Sequence, residues 1–193
     1  MSGQIGVLGY DLGMKRQHQR RSIRLKGWDY RSAGVYFVTI CTFRREMLFA
    51  DESFKQIAEN RWEQTPEKPH AAHVVLDEWV VMPNHVHGLL FFREQRPDTR
   101  DTPLPDPAGG LQNAPAGSLG VVVGQFKSDV TRQINRVRRS PGRPVWQRGF
   151  YERIVRNDRE LNAIRKYIRE NPVRWAEDRD NLDELLSQMT KRG

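Results

Sequence analysis

The sequence predicts an α+β domain built on an antiparallel sheet, and three observations support this fold class. Two runs rich in β-branched and apolar residues flank the turn signal Pro83-Asn84, which indicates a hairpin. Two further strand-like runs lie nearer the ends of the chain. Segments with apolar residues at helical spacing separate the strands, so strands and helices belong to one mixed domain.

The first half of the chain predicts a strand, a helix and the hairpin. Residues 35–42 are β-branched and aromatic, which is typical of a strand. Residues 51–64 carry apolar side chains at helical spacing and predict the first helix. Residues 73–82 and 85–92 are the two strands of the hairpin.

The middle of the chain predicts an insert, a basic helix and a fourth strand. Residues 95–117 are rich in Pro, Gly, Ala and Asp, and we expect a flexible insert within the domain. Ser118 is expected to cap a helix over residues 119–139. Residues 145–155 contain aromatic and β-branched side chains and predict one continuous strand.

The last predicted helix begins at Asn157, because Asn followed three residues later by Glu160 resembles a capping box. We expect it to end before Pro172, since proline cannot donate a backbone hydrogen bond. Its apolar stripe is Leu161, Ile164 and Ile168. Without this helix the element order is βαββαβ, which is the ferredoxin-like arrangement. The sheet should therefore carry its helices on one face, with the C-terminal helix added.

Composition and charge limit the classes of function. The 193-residue chain has a net charge of +8, which favours a polyanionic partner such as nucleic acid. A single cysteine, Cys41, cannot form an internal disulfide, and no apolar run approaches the roughly 20 residues of a membrane span. We therefore expect a cytoplasmic protein associated with the nucleoid. The expected organisation is a flexible basic arm (1–20), a domain (21–176) and a polar tail (177–193).

His85 and His87 are the first candidate site residues. Side chains at i and i+2 of a strand share one face, so two imidazoles stand side by side and form half a metal site. Tyr167 and Asn171 lie four residues apart on one face of the last helix. Asn171 can offer its carboxamide oxygen to Mg²⁺ or Mn²⁺, and Tyr167 can act as a nucleophile beside the metal.

Less specific interpretations of these residues remain open. The histidine pair can be structural, Tyr167 can be a core aromatic, and Asn171 can be a C-cap before the proline. Tyr151 is a rival nucleophile, although it has no asparagine partner at helical spacing.

Several motifs together resemble one protein family. His85-Val86-His87 after Met82-Pro83-Asn84, and the stretch from Tyr167 to Pro172, are similar to the REP-associated tyrosine transposases. These are relatives of the single-tyrosine HUH transposases. The runs 27–30, 36–41 and 146–152 also resemble the family, and the similarity covers roughly residues 21–176.

The resemblance implies a ferredoxin-like fold with a C-terminal catalytic helix, and cleavage and rejoining of single-stranded DNA at hairpins of palindromic repeats. It implies that His85, His87 and Asn171 hold Mg²⁺ or Mn²⁺, and that Tyr167 forms a covalent link to a 5′ phosphate. Arg153 departs from the family, since related sequences often carry His there. The protein is expected to act as a monomer or a homodimer.

Basic and aromatic residues are the candidate contacts to DNA. Basic side chains can bind phosphates, and Trp or Tyr can stack on unpaired bases. The candidates are Arg21, Arg24, Lys26, Trp28, Tyr30, Lys127, Arg132, Arg136, Arg148 and Arg153. Two other functions remain: a non-catalytic DNA-binding regulator that retains the fold, and a metal hydrolase that uses water instead of tyrosine.

Overall fold

The computed structural model describes residues 28–94 and 116–175, which contain four strands and three α-helices. The predicted arm, most of the insert and the tail lie outside these ranges. The strands are β1 (Gly34–Cys41), β2 (Val74–Met82), β3 (His85–Phe92) and β4 (Tyr151–Val155). The helices are α1 (Glu52–Glu63), α2 (Leu119–Val137) and α3 (Asp158–Arg174).

The four strands form one sheet in the order β2-β3-β1-β4, and every neighbouring pair is antiparallel. The element order and this strand order together confirm the predicted ferredoxin-like arrangement. β3 lies in the interior of the sheet, where His87 faces Thr39 of β1 on one side and Val80 of β2 on the other. The histidine pair is therefore held by hydrogen-bonded neighbours on both sides.

The two faces of the sheet bury different sets of side chains. Tyr36, Val38 and Ile40 of β1 join the apolar residues of α1 and α2 in the larger core. Phe37, which alternates with them, points to the opposite face with Leu89. There the predicted stripe of α3 covers both, and it consists of Leu161, Ile164 and Ile168. Thus α1 and α2 share one face, and α3 is the described helix that packs on the other.

Single residues account for the start of α1 and for the packing of Trp62 against β3. Asp51 caps α1, because its Oδ1 accepts a hydrogen bond of 2.9 Å from the Ser53 amide. Gly88 follows the histidine pair in β3, and a Cβ there would lie 2.2 Å from the Trp62 ring. The absence of a side chain at Gly88 therefore lets Trp62 pack directly against the strand.

The prediction that α3 ends before Pro172 is wrong, because the helix continues to Arg174. A proline removes one backbone hydrogen bond, here the bond from residue 172 to residue 168. The last turn is held instead by Trp175, whose ring lies 5.5 Å from the His85 ring. The start is as expected, since Asn157 Oδ1 accepts from the Glu160 amide at 2.9 Å.

The predicted continuous strand over 145–155 is also wrong. The strand β4 begins only at Tyr151, because the chain bends at Gly149, which has a φ of 73°. The earlier part still lies beside the end of β1. Trp146 forms a β-bridge with Thr42, and the Gln147 amide donates a hydrogen bond of 2.9 Å to the Cys41 carbonyl. In place of the predicted strand there is therefore an isolated bridge at Trp146 and the five-residue strand β4.

Ser118 occupies the N-cap position of α2, but its side chain makes no capping hydrogen bond. Among the described residues its buried Oγ has no hydrogen-bond partner. The Leu119 amide, at the start of the helix, donates instead to the Tyr30 carbonyl at 3.1 Å. None of the described helices is long and apolar enough to cross a membrane.

Candidate active site

His85 and His87 point their imidazoles towards the same place on the α3 face of the sheet. Their two Nε2 atoms are 2.9 Å apart, and the ring centroids are 4.3 Å apart. Both side chains are removed from solvent, with 5% of His85 and none of His87 exposed. The two nitrogen atoms therefore form a compact, enclosed pair of donors.

Hydrogen bonds at the opposite ring nitrogens fix the orientation of both imidazoles. His85 Nδ1 lies 2.7 Å from Asn84 Oδ1, and His87 Nδ1 lies 2.9 Å from Thr39 Oγ1. Since an amide oxygen only accepts, His85 Nδ1 donates and its Nε2 keeps a lone pair. Neither Asn84 nor Thr39 is among the predicted site residues. The signal for Thr39 is a polar side chain in an otherwise apolar buried strand.

Both histidines are neutral at ordinary pH. Burial lowers the pKa of His85 to about 3, and the nearby Arg45 guanidinium acts in the same direction. Burial and the neighbouring His85 hold the pKa of His87 well below its usual value. A neutral imidazole is the form that binds a metal, so the environment favours the ligand state of both side chains.

Tyr167 approaches the pair from α3 of the same chain. Its hydroxyl lies 3.2 Å from His87 Nε2, and its ring lies 5.2 Å from the His87 ring. Phe37 forms the floor of the site, stacking on His87 at 5.4 Å and meeting Tyr167 edge-on at 6.4 Å. The structure thus brings Tyr167 and the two histidines together within one chain.

Asn171 is half-buried and lies between two residues that contact the histidines. Tyr167, Asn171 and Trp175 are spaced four residues apart, so they follow one side of the helix. Tyr167 contacts His87, and the ring of Trp175 lies against His85. Asn171 therefore lies on this side of α3, one turn from Tyr167, and its role as a metal ligand stays a prediction. Trp175 was not predicted as a site residue, and only the continuation of α3 past the proline reveals it.

Two ion pairs fasten α3 to the edge strand β2. Arg165 Nε donates to Asp77 Oδ2 at 2.7 Å, and Arg169 Nη1 donates to Glu78 Oε1 at 3.0 Å. The adjacent acids both reach α3 because the register of β2 shifts between Leu76 and Trp79. We call these four residues the α3 clasp. It brackets Tyr167, which lies between the two arginines in sequence.

The donor set fits a small divalent cation. Two ligands about 2.1 Å from a metal at a right angle are about 3.0 Å apart, which matches the 2.9 Å between the Nε2 atoms. No group of three or more His, Cys, Asp or Glu side chains that could hold a metal occurs within residues 28–94 and 116–175. Within those residues a further protein ligand would be of another type, and the half-buried Asn171, one turn from Tyr167, is the predicted one.

Tyr151, the rival nucleophile, occupies a different environment. It lies on the α3 face of β4 and packs against the small core of Phe37 and Leu89. Burial raises the pKa of its hydroxyl, which disfavours the nucleophilic phenolate.

Of the residues predicted to contact DNA near the N-terminus, the structure describes the two aromatic ones but not the three basic ones. Arg21, Arg24 and Lys26 lie outside the described residues. Trp28 is 38% exposed, and its indole donates to the Tyr36 hydroxyl at 3.2 Å. Tyr30 packs against the larger core, so its ring is less available for stacking on a base.

The basic residues predicted to contact DNA differ in whether their side chains are exposed or bound to other parts of the protein. Lys127 donates to the carbonyls of Gln147 and Gly149 at 2.7 and 2.8 Å, and burial lowers its pKa to about 8. Arg153 forms an ion pair with Glu160. Both side chains therefore already bind groups of the protein and are less available to DNA. The exposed side chains are those of Arg132, Arg136 and Arg148, the first of which pairs with Asp129.

The chain is similar in sequence to two bacterial proteins. No protein-family model matches the chain. It is 37% identical over 175 residues to an uncharacterized protein of Haemophilus influenzae, covering 86% of this chain and 95% of that protein. It is 25% identical over 156 residues to a second protein of that organism, named "Putative REP-associated tyrosine transposase", covering 76% and 74% respectively.

A solved structure has the same fold. It is a REP-associated tyrosine transposase bound to a REP hairpin, and it matches with a TM-score of 0.52 and 20% identity. The match covers 75% of this chain and 70% of that one. The chain therefore belongs to the same family as the 37% identical Haemophilus protein, and its fold is that of the solved REP-associated tyrosine transposase.

Proposed function

We propose that the protein is a metal-dependent transesterase that cuts and rejoins single-stranded DNA through Tyr167. One observation carries this proposal: the Tyr167 hydroxyl, His85 Nε2 and His87 Nε2 converge within one enclosed site. A hydroxyl beside two neutral imidazoles is an arrangement that suits nucleophilic attack assisted by a metal. A purely structural histidine pair would not require a phenol at the same point.

The proposed reaction exchanges one phosphate ester for another. The Tyr167 oxygen attacks the phosphorus, the bond from phosphorus to the 3′ oxygen breaks, and a 5′ phosphotyrosine forms. The phenol loses its proton, and the departing 3′ oxygen takes one up to become a hydroxyl. Attack by that hydroxyl reverses the exchange, so rejoining needs no nucleotide cofactor.

His85, His87 and Asn171 are the residues that would hold Mg²⁺ or Mn²⁺. The bound cation would polarise the phosphodiester and offset charge on its oxygens. The protein supplies the remaining requirements. Asn84 and Thr39 orient the imidazoles, Phe37 closes the floor, and α3 holds the Tyr167 hydroxyl 3.2 Å from His87 Nε2.

The substrate we propose is DNA that combines a hairpin with an unpaired flank. The net charge of +8 favours a polyanion. The solved structure of the same fold was determined with a REP hairpin, which supports this class of DNA. The unpaired flank is proposed because both histidines are buried, and a single strand can bring a phosphodiester to a buried site more easily than a stiff duplex can.

A covalent-adduct assay tests the proposal. Wild-type protein is incubated with labelled hairpin DNA carrying single-stranded flanks, in Mn²⁺, in Mg²⁺ and with a chelator, and is then run on a denaturing gel. We expect a metal-dependent adduct that Tyr167→Phe abolishes. Tyr151→Phe is the matched control, and it should retain the adduct because its ring packs in the core.

The other outcomes identify the competing functions. DNA binding without cleavage by wild-type protein would indicate the non-catalytic regulator. Metal-dependent cleavage without an adduct would indicate a hydrolase that uses water. Either result would reject the role of Tyr167 as the nucleophile.

A further inference from the structure

A short turn after β1 lies beside the histidine site, and we call residues 42–46 the arginine turn. At its start, the Thr42 amide donates to the Asn84 carbonyl at 2.9 Å, and the Thr42 hydroxyl lies 2.9 Å from the same oxygen. Beyond its end, the Phe49 amide donates to the Pro83 carbonyl at 2.9 Å. The chain is therefore anchored on both sides of the arginine turn to the hairpin turn that leads into the histidine pair.

Two consecutive arginines of this turn have a left-handed backbone conformation. The φ angle is 53° at Arg44 and 55° at Arg45, a region that residues with bulky side chains rarely occupy. Glycine would adopt both conformations without steric cost. Strained residues of this kind persist only where the surrounding structure imposes them, and they cluster at active sites and ligand clamps. The two side chains are therefore candidates for a function that glycine could not provide.

The two arginine side chains have different environments. Arg44 is exposed, and its guanidinium lies over the Phe43 ring, 5.1 Å from the ring centroid. Arg45 is half-buried. Burial is the main cause of the lowered pKa of His85, and the positive charge of Arg45 is the second cause, so that charge lies close to the imidazole. Arg45 is therefore the arginine of the turn whose charge acts on the histidine site.

The charge of Arg45 is not balanced by an acid. Among the described residues no carboxylate forms an ion pair with it, whereas Arg165 and Arg169 pair with the acids of β2. The adjacent Glu46 approaches Arg143 instead, at 4.0 Å. A cation beside two metal ligands disfavours a bound metal by repulsion. An anion bound between the two would offset this repulsion, so the electrostatics favour a metal and an anion together.

We propose that Arg45 binds the scissile phosphodiester, donating from its guanidinium to a non-bridging oxygen while Tyr167 attacks the phosphorus. This inference rests on the proposed function for the reaction, and it adds a catalytic residue that the sequence did not predict. A guanidinium is planar, stays protonated throughout and can donate two parallel hydrogen bonds to a phosphate. Negative charge on the non-bridging oxygens grows during the attack, so a fixed cation there stabilises the transition state more than the ground state.

Glycine substitutions at the two arginines provide a matched pair of variants. Arg45→Gly and Arg44→Gly each remove one positive charge and relieve one left-handed backbone, which offsets the added freedom of the unfolded chain. Adduct formation is timed in a single turnover with saturating hairpin DNA that carries an unpaired flank, in Mn²⁺. We expect the rate to fall about 100-fold or more in Arg45→Gly and to stay within about threefold of wild type in Arg44→Gly.

Two further readouts separate contact with the phosphate from a structural role. Urea unfolding of both glycine variants should have its midpoint near that of wild type, whereas a structural role would lower stability and rate together. Arg45→Lys keeps the charge but loses the planar fork, so it should recover only part of the rate.

Phosphorothioate substrates test the contact at a single atom. Sulfur in place of one non-bridging oxygen of the scissile phosphate weakens a hydrogen bond to that position. In wild type we expect one of the two diastereomers to react about tenfold more slowly than the other, and in Arg45→Gly this difference should largely disappear. Equal rates in the two glycine variants, or a sulfur effect of the same size in Arg45→Gly and wild type, would overturn the proposal.

A binding measurement separates failure of this proposal from failure of the proposed function. In the Tyr167→Phe protein, which cannot form the adduct, affinity for the flanked hairpin is measured in Mn²⁺. Adding Arg45→Gly should weaken this binding about fivefold or more relative to adding Arg44→Gly. If wild type forms no adduct but this difference is found, Arg45 binds the phosphodiester and the transesterase is rejected. If wild type forms no adduct and both glycine variants bind alike, both proposals are rejected.

Discussion

The Tyr167 hydroxyl and His87 Nε2 are 3.2 Å apart across the interface between α3 and the sheet. His87 is fully buried in an interior strand, whereas Tyr167 lies on α3, which packs against the face of the sheet opposite α1 and α2. The relationship therefore depends on two things: the orientation of the imidazole and the placement of the helix. Each can be changed separately by mutation.

The orientation of His87 depends on Thr39. Thr39→Val removes the hydroxyl 2.9 Å from His87 Nδ1 while nearly preserving the shape of the side chain. We expect the rate of adduct formation and the affinity for Mn²⁺ to fall by about 10- to 100-fold, as for other residues that orient metal ligands. Thr39→Ser keeps the hydroxyl and should restore most of both. Loss in the serine variant equal to that in valine would contradict the hydrogen-bond role.

The placement of Tyr167 depends on the α3 clasp. A double-mutant cycle with Asp77→Ala and Arg165→Ala should give a coupling of about 0.5–1 kcal/mol in the free energy of unfolding, since both side chains are partly buried. Each single variant should also slow adduct formation. The exposed pair Lys166–Glu170 on α3 is the control, and its coupling should be smaller. Equal coupling in the two cycles would argue against a special role for the clasp.

Gly88 and Gly124 should respond oppositely to alanine. Gly88→Ala places a Cβ 2.2 Å from Trp62, and because Trp62 is buried we expect a loss of about 1–3 kcal/mol in unfolding free energy. At Gly124, within α2, a Cβ meets nothing within 4 Å. Gly124→Ala should therefore add about 0.5–1 kcal/mol through helix propensity. Denaturant unfolding of both variants checks the difference in sign.

The stability of the metal-free protein should fall in mild acid. The pKa of His85 is lowered from 6.5 to about 3 in the folded state, and that of His87 is lowered in the same direction. Below pH 6.5 the unfolded chain binds protons at these side chains that the folded chain does not. Its unfolding free energy should therefore decrease as the pH falls from 6.5 towards 3.

Urea denaturation in chelator at pH 7.5 and pH 5 measures this decrease. The His85→Gln/His87→Gln protein lacks both imidazoles and should lose less stability between the two pH values than wild type. The same loss in both proteins would assign the pH dependence to other groups.

Local patterns were sufficient for much of the fold. The predicted β3 coincides with the strand His85–Phe92, and α1 lies one residue inside each predicted end. These elements carry their own signals: an apolar run after a turn, and a capping aspartate before helical periodicity. The proximity of Tyr167 to the histidines is also consistent with their predicted faces, since each periodicity fixes a side and the fold brings the sides together.

The remaining features depend on contacts between distant segments. Thr39 meets His87 only because β1 pairs with β3, 48 residues away. The α3 clasp depends on the register shift in β2, and no local sequence pattern near Asp77 and Glu78 predicts that shift. The helix passes Pro172 because its last turn packs Trp175 against His85, and this tertiary contact outweighs the local signal to stop.

Peptide mapping of the DNA adduct is the most direct test of the central claim. Adduct formed in Mn²⁺ is digested with nuclease and trypsin, and the modified peptide is identified by mass spectrometry. Cleavage after Lys166 and Arg169 releases Tyr167-Ile168-Arg169, and we predict that this peptide carries the 5′-linked nucleotide. Modification of a peptide that lacks Tyr167, or cleaved DNA with no modified peptide, would contradict the account.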